Sequence, residues 1–239
     1  DTVNVFSDGP DGPNQSWSFM GGVIDTQTTT TGVTPASTPI TTYNSNSKQA
    51  LTNNNTTWAY LNLTAADYRA KGACGDLLNN GNDIDAPFTD DIIAMQFPTA
   101  YGNHFSDPYL MDIIVTGTQA GMPFYEVRFK RSGIVNDSIK GWGTVQTPVG
   151  IYNSLKHKNV DNYYDSVWTK LFSWAPWLLY SNDSGVSVTY SWIAKEGRLA
   201  VAELSNTGHL TWTLVQAVPS AAFTSTDMGN GNFNFTNRS

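Results

Sequence analysis

Aromatic side chains next to small polar residues are the feature of this sequence best suited to chemistry. Trp142 stands between two glycines, and Tyr163 and Tyr164 follow directly after Asp161 and Asn162. A sugar site uses a flat apolar surface for the ring and a few polar groups for its hydroxyls. Rigid scaffolds usually carry such groups on loops. The sequence therefore predicts a ligand site on loops that contain these five residues.

An acidic run follows a stretch rich in Asn and Gly. Asp83, Asp85, Asp90 and Asp91 have oxygen ligands of the kind that calcium prefers, but their spacing lacks the twelfth-position ligand of an EF-hand. Asn and Asp side chains also form turns, which explains the same residues without a metal. A glycosidase needs two carboxylates placed across a sugar, and this leaves an enzyme as the alternative.

Signatures of catalysis are absent from the sequence. No nucleophile elbow, zinc-protease motif, phosphate loop or dinucleotide fingerprint is present. His104, His157 and His209 lie far apart in the chain, and Cys74 has no flanking motif that would make it a nucleophile. We therefore predict no catalytic residue, no metal and no cofactor.

The composition excludes several classes of protein. Charged residues make up 14% of the 239 residues, against a usual share of about 25%. The net charge of −7 is opposite to the basic footprint of nucleic-acid binders, so we expect no nucleic-acid partner. The sequence contains no apolar run of about 18 residues, so we expect no membrane insertion.

Period-two patterns of apolar residues dominate the second half of the chain. Apolar and polar residues alternate over 124–130, 186–192 and 210–214, with Gly-containing turns between the later runs. The sequence predicts an all-β fold: an antiparallel β-sandwich or barrel with long Thr/Asn-rich loops. At most one or two short helices are expected, and the candidates are 64–70 and 163–171.

The distribution of turn-forming residues suggests the domain organisation. Residues 1–16 are dense in Asp, Gly, Pro and Asn, which predicts a leader or linker, and 17–239 then form a single β domain. The Thr/Ser/Asn tract at 25–57 predicts a mobile surface excursion or a run of edge strands. Because the chain does not begin with Met, we expect a fragment of a larger secreted or surface-displayed chain.

The late strands carry a family resemblance. Val186–Trp192, Gly197–Leu204 and Gly208–Trp212 follow one another as strand, turn, strand and turn. This pattern resembles the late strands of the protruding domain of calicivirus capsid proteins, and 165–174 lies where those domains carry a short helix. The length, the Thr/Asn richness and the single cysteine also look like the capsid spike of astroviruses.

The resemblance implies a spike domain on the virion surface that mediates host-cell attachment. Its partners would be a second copy in a homodimer, a host-cell receptor or glycan, and neutralising antibodies. Low charge with many aromatic residues favours a homodimer as well, since interfaces are enriched in Trp, Tyr and Phe. The alternatives are a secreted carbohydrate-active enzyme and a lectin-like adhesin domain.

Overall fold

The computed structural model describes residues 6–22, 26–40, 43, 46–195 and 200–214, and the backbone of 223–229 and 232–237. The fold is all-β, as the sequence predicts, with short helical turns at Pro35–Ser37 (3₁₀) and Gly117–Ala120 (α1). The strands are β1 Gly12–Ser18, β2 Thr31–Val33, β3 Gln49–Thr52, β4 Thr57–Leu63, β5 Asp67–Gly75, β6 Ile84–Gln96, β7 His104–Thr116, β8 Glu126–Thr147, β9 Gly150–Lys170, β10 Leu178–Ala194, β11 Ala200–Ser205, β12 Leu210–Trp212, β13 Phe223–Gly229 and β14 Asn232–Asn237.

The strands from β2 to β12 pair in chain order and form one antiparallel meander. Such a meander needs only hairpin connections, which suits a chain punctuated by Gly and Asn turns. β1 is the exception, since it pairs in parallel with β8. β13 and β14 pair with each other in a separate two-stranded sheet.

Two long strands form the spine of the sheet. β8 has 22 residues and β9 has 21, and they pair along almost their whole length. The first half of β8 also pairs with β7, whereas its second half pairs with β1. The two halves of the β8–β9 pair therefore lie beside different strands, the first beside β7 and the second beside β1. Lys156 points into a core, and its neighbour His157 points to the opposite face of the sheet.

Three buried clusters hold the sheet together. The first surrounds Trp192, whose indole ring meets the rings of Trp17 and Phe19 edge-on, with centroids 6.1 and 4.6 Å apart. The second surrounds Val127 near α1. In the third, the rings of Tyr43 and Tyr60 stack at 3.8 Å. Each aromatic ring in these clusters buries a large apolar area.

Both helix candidates are wrong. Residues 64–66 form the turn between β4 and β5, and the hydroxyl of Thr64 accepts from the backbone N–H groups of Ala66 and Asp67. Capping does occur there, but the backbone N–H of Thr64 donates to the carbonyl of Asp67 and closes a hairpin instead. Residues 163–170 belong to β9, where they pair with β8 on one side and, as far as Thr169, with β10 on the other.

The described part of the predicted leader, residues 6–16, contributes a strand to the large sheet. β1 begins at Gly12, and Trp17 is buried in the first cluster. Within the tract at 25–57, the described residues include the strands β2 and β3 at one end of the sheet. No helix in the described part of the chain is long and apolar enough to cross a membrane.

Candidate functional site

A large cleft lies between the two ends of the meander. One wall comes from β2 to β6, and the other comes from β8 to β11. Its volume is about 1820 Å³, compared with roughly 300–1,000 Å³ for ordinary small-molecule sites. Among the described strands, β2 and β12 stand at opposite ends of the pairing order and do not pair with each other. The cleft has room for an extended ligand.

The wall formed by β8 to β11 carries a row of polar side chains. His157 on β9 lies opposite Ser191 on β10, and Ser191 lies opposite Glu203 on β11. Directly opposite residues share a face and lie about 5 Å apart at Cβ. The Ser191 hydroxyl donates to Oε1 of Glu203 at 3.2 Å. The alternation of the strands thus aligns these groups on the cleft face.

A buried carboxylate holds His157 in place. Nε2 of His157 is hydrogen-bonded to Oδ1 of Asp137, and the amide of Asn159 donates to the same oxygen at 3.1 Å. The Asp137 side chain is only 1% exposed and that of His157 is 9% exposed. Buried charges need such partners, because desolvation without them costs several kcal/mol. The imidazole therefore has a fixed orientation at the wall of the cleft.

Tyr68 belongs to the opposite wall, on β5. Burial raises the pKa of its phenol, and the negative charge of Glu203 raises it further. The hydroxyl is therefore neutral at physiological pH and can act as a hydrogen-bond donor. Together with Ser191 and Asn159, it gives the cleft neutral polar groups of the kind that bind sugar hydroxyls.

A smaller pocket of about 120 Å³ lies behind the histidine. Both cavities are lined by His157, Met95 and Phe97. Asp137 also lines the small pocket, and its Oδ2 atom is buried with no hydrogen-bond partner among the described residues. Buried carboxylate oxygens are usually satisfied, so this atom marks a position where a donor would be stabilised.

Among the described residues, the polar row does not have the serine–histidine hydrogen bond of a nucleophilic triad. Nucleophilic catalysis by a serine requires a hydrogen bond from its hydroxyl to a base. The hydroxyl of Ser191 is instead engaged by Glu203, although His157 lies directly across the strand pair. Within the described residues, no three His, Cys, Asp or Glu side chains are placed to hold a metal ion.

The five residues predicted from the sequence lie on strands rather than loops. Trp142 is on β8, is 44% exposed and lines the cleft. Asp161, Asn162, Tyr163 and Tyr164 lie in the middle of β9 and line neither cavity. The structure therefore separates Trp142 from the other four, and the loop expectation is wrong for all five.

Asp161 and Tyr163 belong to a polar cluster of their own. The Tyr109 hydroxyl donates to both carboxylate oxygens of Asp161, at 2.9 and 3.1 Å. Burial raises the pKa of that carboxyl. The guanidinium of Arg131 binds Asp165 through two hydrogen bonds of 2.8 Å and lies 4.6 Å from the ring centroid of Tyr163. These groups already satisfy one another.

Two glycines explain why tyrosines occupy this cluster. A Cβ atom on Gly133 would lie 2.6 Å from the ring of Tyr109, and one on Gly185 would lie 2.6 Å from the hydroxyl of Tyr163. Each ring therefore covers the space that a missing side chain leaves on the neighbouring strand. This packing supports a structural role for Tyr163. Asn162 and Tyr164 point to the other face, where the Asn182 amide donates to the Tyr164 hydroxyl at 3.0 Å.

The acidic run has structural partners as well. Asp91 on β6 forms an ion pair with Lys71 on β5. The side chain of Asp76, just before the run, accepts from the backbone N–H groups of Asn80 and Gly81 at 2.8 and 3.0 Å and shapes the turn. This is the turn-forming role that Asp side chains commonly play.

An exposed apolar surface forms the opposite end of the β9–β10 hairpin. We call residues 171–188 the β10 arm. β11 pairs with β10 only from Thr189 onward, so one edge of the arm has no paired strand among the described residues. The rings of Phe172 and Trp174 stack at 5.4 Å, and Trp174 is 81% exposed. The exposed large apolar side chains of the arm are Leu171, Phe172, Trp174, Leu178, Leu179, Tyr180 and Val186.

Sequence reasoning missed the polar row. Asp137, His157, Ser191 and Glu203 are separated by up to 66 positions in the chain, taking Asp137 to Glu203 as 203 minus 137. Parity places His157 and Asn159 on the same face of β9, but their neighbours Lys156 and Lys158 give no apolar contrast that would mark the face. Parity alone does not give the register between strands, and the register brings the row together. Comparison of the chain with protein-family models, curated proteins and solved structures gives no match.

Proposed function

We propose that this chain is a non-catalytic attachment domain that binds a glycan in its large cleft. The observation that carries the proposal is the cleft itself, whose lining includes the exposed indole of Trp142 and neutral polar side chains such as those of Asn153 and Asn159. A flat apolar ring with neutral hydrogen-bonding groups suits a sugar better than it suits an apolar or strongly charged ligand. The resemblance of the late strands to calicivirus protruding domains, and of the length and composition to astrovirus spikes, supports a place on the virion surface, where the ligand is a host-cell receptor.

Single-site affinity should be weak. Contacts of this kind place the dissociation constant in the millimolar to micromolar range, or about 4–8 kcal/mol. Many copies on one particle would raise the apparent affinity by roughly a hundredfold or more. The binding assay must therefore use the domain displayed multivalently.

The test is a glycan array with two variants matched in exposure. Trp142 is 44% exposed inside the cleft, and Tyr164 is 46% exposed outside it. We expect Trp142→Ala to lose at least about tenfold in binding, because stacked apolar area is lost, and Tyr164→Ala to bind as the parent does. The opposite result would move the site to the middle of β9. A blank array, with cell binding that survives enzymatic glycan removal, would show that the ligand is not a glycan.

The alternative of a carbohydrate-active enzyme is tested on the same ligands. Any glycan that binds should be recovered unchanged after prolonged incubation, because hydrolysis needs two carboxylates across the sugar and, among the described residues, Glu203 is the one carboxylate that lines the cleft. Turnover that disappears in Glu203→Gln would establish an enzyme and overturn the non-catalytic assignment.

We also propose that the β10 arm is the interface with a second copy of this chain. A buried aromatic side chain covers roughly 150–250 Å², so the half-exposed apolar side chains of the arm offer roughly 600 Å² together. That approaches the approximately 800 Å² per partner of a standard interface. The arm also leaves a strand edge unpaired in the described structure, and an antiparallel edge can pair with its own copy across a two-fold axis. A homodimer thus covers both the edge and its apolar side chains.

A further inference from the structure

The small pocket behind His157 contains an unusual carboxylate. Oδ1 of Asp137 takes hydrogen bonds from two neighbours, whereas Oδ2 is buried without one. An unsatisfied buried acceptor destabilises the folded chain. A ligand that brings an N–H group to Oδ2 recovers this cost on binding.

The walls of the pocket combine polar and apolar side chains, and the polar ones besides Asp137 and His157 are Gln96, Thr99, Asn103, His104 and Ser138. Met95, Phe97, Phe105 and Ile139 line it, and the pocket joins the cleft at His157. Its volume of about 120 Å³ corresponds to roughly four water molecules at about 30 Å³ each. A small group with a donor on one side and a methyl group on the other matches both the orphan oxygen and the walls.

We propose that this pocket holds the acetamido group of a sugar whose ring lies in the cleft. The amide N–H donates to Oδ2 of Asp137, and the methyl group packs against Phe97 and Ile139. A primary ammonium would also satisfy the carboxylate, but removing a charged group from water costs far more than removing a neutral amide. The inference rests on the proposed glycan site and specifies the class of sugar that the site takes.

The experiment titrates the ¹⁵N-labelled full chain with N-acetylglucosamine, N-acetylgalactosamine, glucosamine and glucose, and follows amide shifts and saturation transfer by NMR. We expect at least one N-acetylated sugar to bind at least about tenfold more tightly than glucose and glucosamine. The acetamido methyl protons should receive the strongest saturation, because they are the most enclosed part of the ligand.

Asp137→Asn is the decisive variant. The side-chain oxygen of the introduced amide must keep accepting the hydrogen bonds from His157 and Asn159, so its NH₂ group takes the position of Oδ2. Two hydrogen-bond donors, this NH₂ group and the amide N–H of the ligand, then face each other. We expect at least a tenfold loss of binding to the N-acetylated sugar. Asp112→Asn, the same change at a carboxylate that lines neither cavity and pairs with Arg128, should bind as the parent does. If Asp137→Asn fails to fold, Phe97→Ala removes a wall of the pocket and should give a loss of the same order.

Each contrary result has a distinct meaning. Equal binding of N-acetylglucosamine and glucose overturns the acetamido pocket while the glycan cleft stands. Tighter binding of glucosamine overturns it in favour of a cationic ligand. Binding of neither N-acetylated sugar also overturns it, and the glycan array then decides separately whether the cleft binds any glycan.

Discussion

The charge of Lys156 gives the sharpest test of what holds the N-terminal segment. Its side chain is fully buried, while those of its partners Asp8 and Asp11 are 35% and 55% exposed. The ammonium donates to one carboxylate oxygen of each partner at 2.8 Å. The carbonyl oxygen of Gly9 accepts the third hydrogen bond, also at 2.8 Å, and the ring of Tyr190 lies 5.2 Å from the ammonium. The cost of a substitution therefore depends on which partner is removed.

Removal of the two carboxylates should be the more damaging change. Asp8→Ala with Asp11→Ala leaves a buried ammonium without a counter-charge, and such losses cost about 3–5 kcal/mol. Lys156→Met keeps the aliphatic packing and frees two carboxylates that already contact water, so we expect a cost of about 1–2 kcal/mol. The double variant should thus be less stable than Lys156→Met by about 2 kcal/mol.

The assay is urea unfolding followed by circular dichroism, with the linear extrapolation giving the free energy of unfolding. The triple variant, with all three changes, is the matched control and should be at least as stable as the double variant, because it no longer buries a lone charge. If Lys156→Met costs as much as the double variant or more, the two carboxylates are not what offsets the burial of the ammonium, and the electrostatic reasoning is wrong.

Three further outcomes are expected. The Arg128 guanidinium holds the pKa of Asp112 below its usual range, so this carboxylate stabilises the fold above the unfolded-state pKa and ceases to do so as the pH falls through the lower folded value. In urea unfolding, Asp112→Asn should therefore cost less than about 1 kcal/mol at neutral pH and almost nothing near pH 2. An equal cost at both pH values would contradict the ion pair. Burial raises the pKa of the Cys74 thiol, so a thiol reagent should label it at least about a hundredfold more slowly in buffer than in urea; rapid labelling of the native chain would contradict its burial. Trp174→Ser with Leu179→Ser should weaken homodimerisation at least about tenfold in sedimentation velocity, and a parent chain that is monomeric at about 50 µM excludes the β10 arm as a stable interface.

Local patterns predicted the fold class and the strands with strict alternation. The period-two runs at 124–130 and 186–192 lie at the start of β8 and within β10. The helix expected at 163–171 failed because a nine-residue segment with mixed polarity fits either period, and pairing with β8 and β10 decides the matter. Trp142 was selected for its glycine neighbours, and it does line the cleft, but on a strand. A glycine within a strand and a glycine in a loop look alike in a sequence.

The polar row could not be predicted, because it depends on which strands are neighbours and on their register. A shift of one residue between β9 and β10 would turn His157 and Ser191 to opposite faces of the sheet. The same limit applies to Lys156, which charge patterning alone places on a solvated surface. Its burial depends on a segment some 145 residues away, from Asp11 to Lys156.

The parallel pairing of β1 with β8 has a consequence for how the chain acquires its structure. Every other strand of the large sheet pairs with a neighbour in sequence, so hairpins can add one after another with little loss of chain entropy at each step. β1 has no such neighbour and must wait until β8 exists, and the rings of Trp17 and Phe19 stay in water until then. Closure of this long loop is therefore the slow step favoured by the topology, and the tryptophan fluorescence of Trp17 should change later in refolding than the bulk of the β-sheet signal.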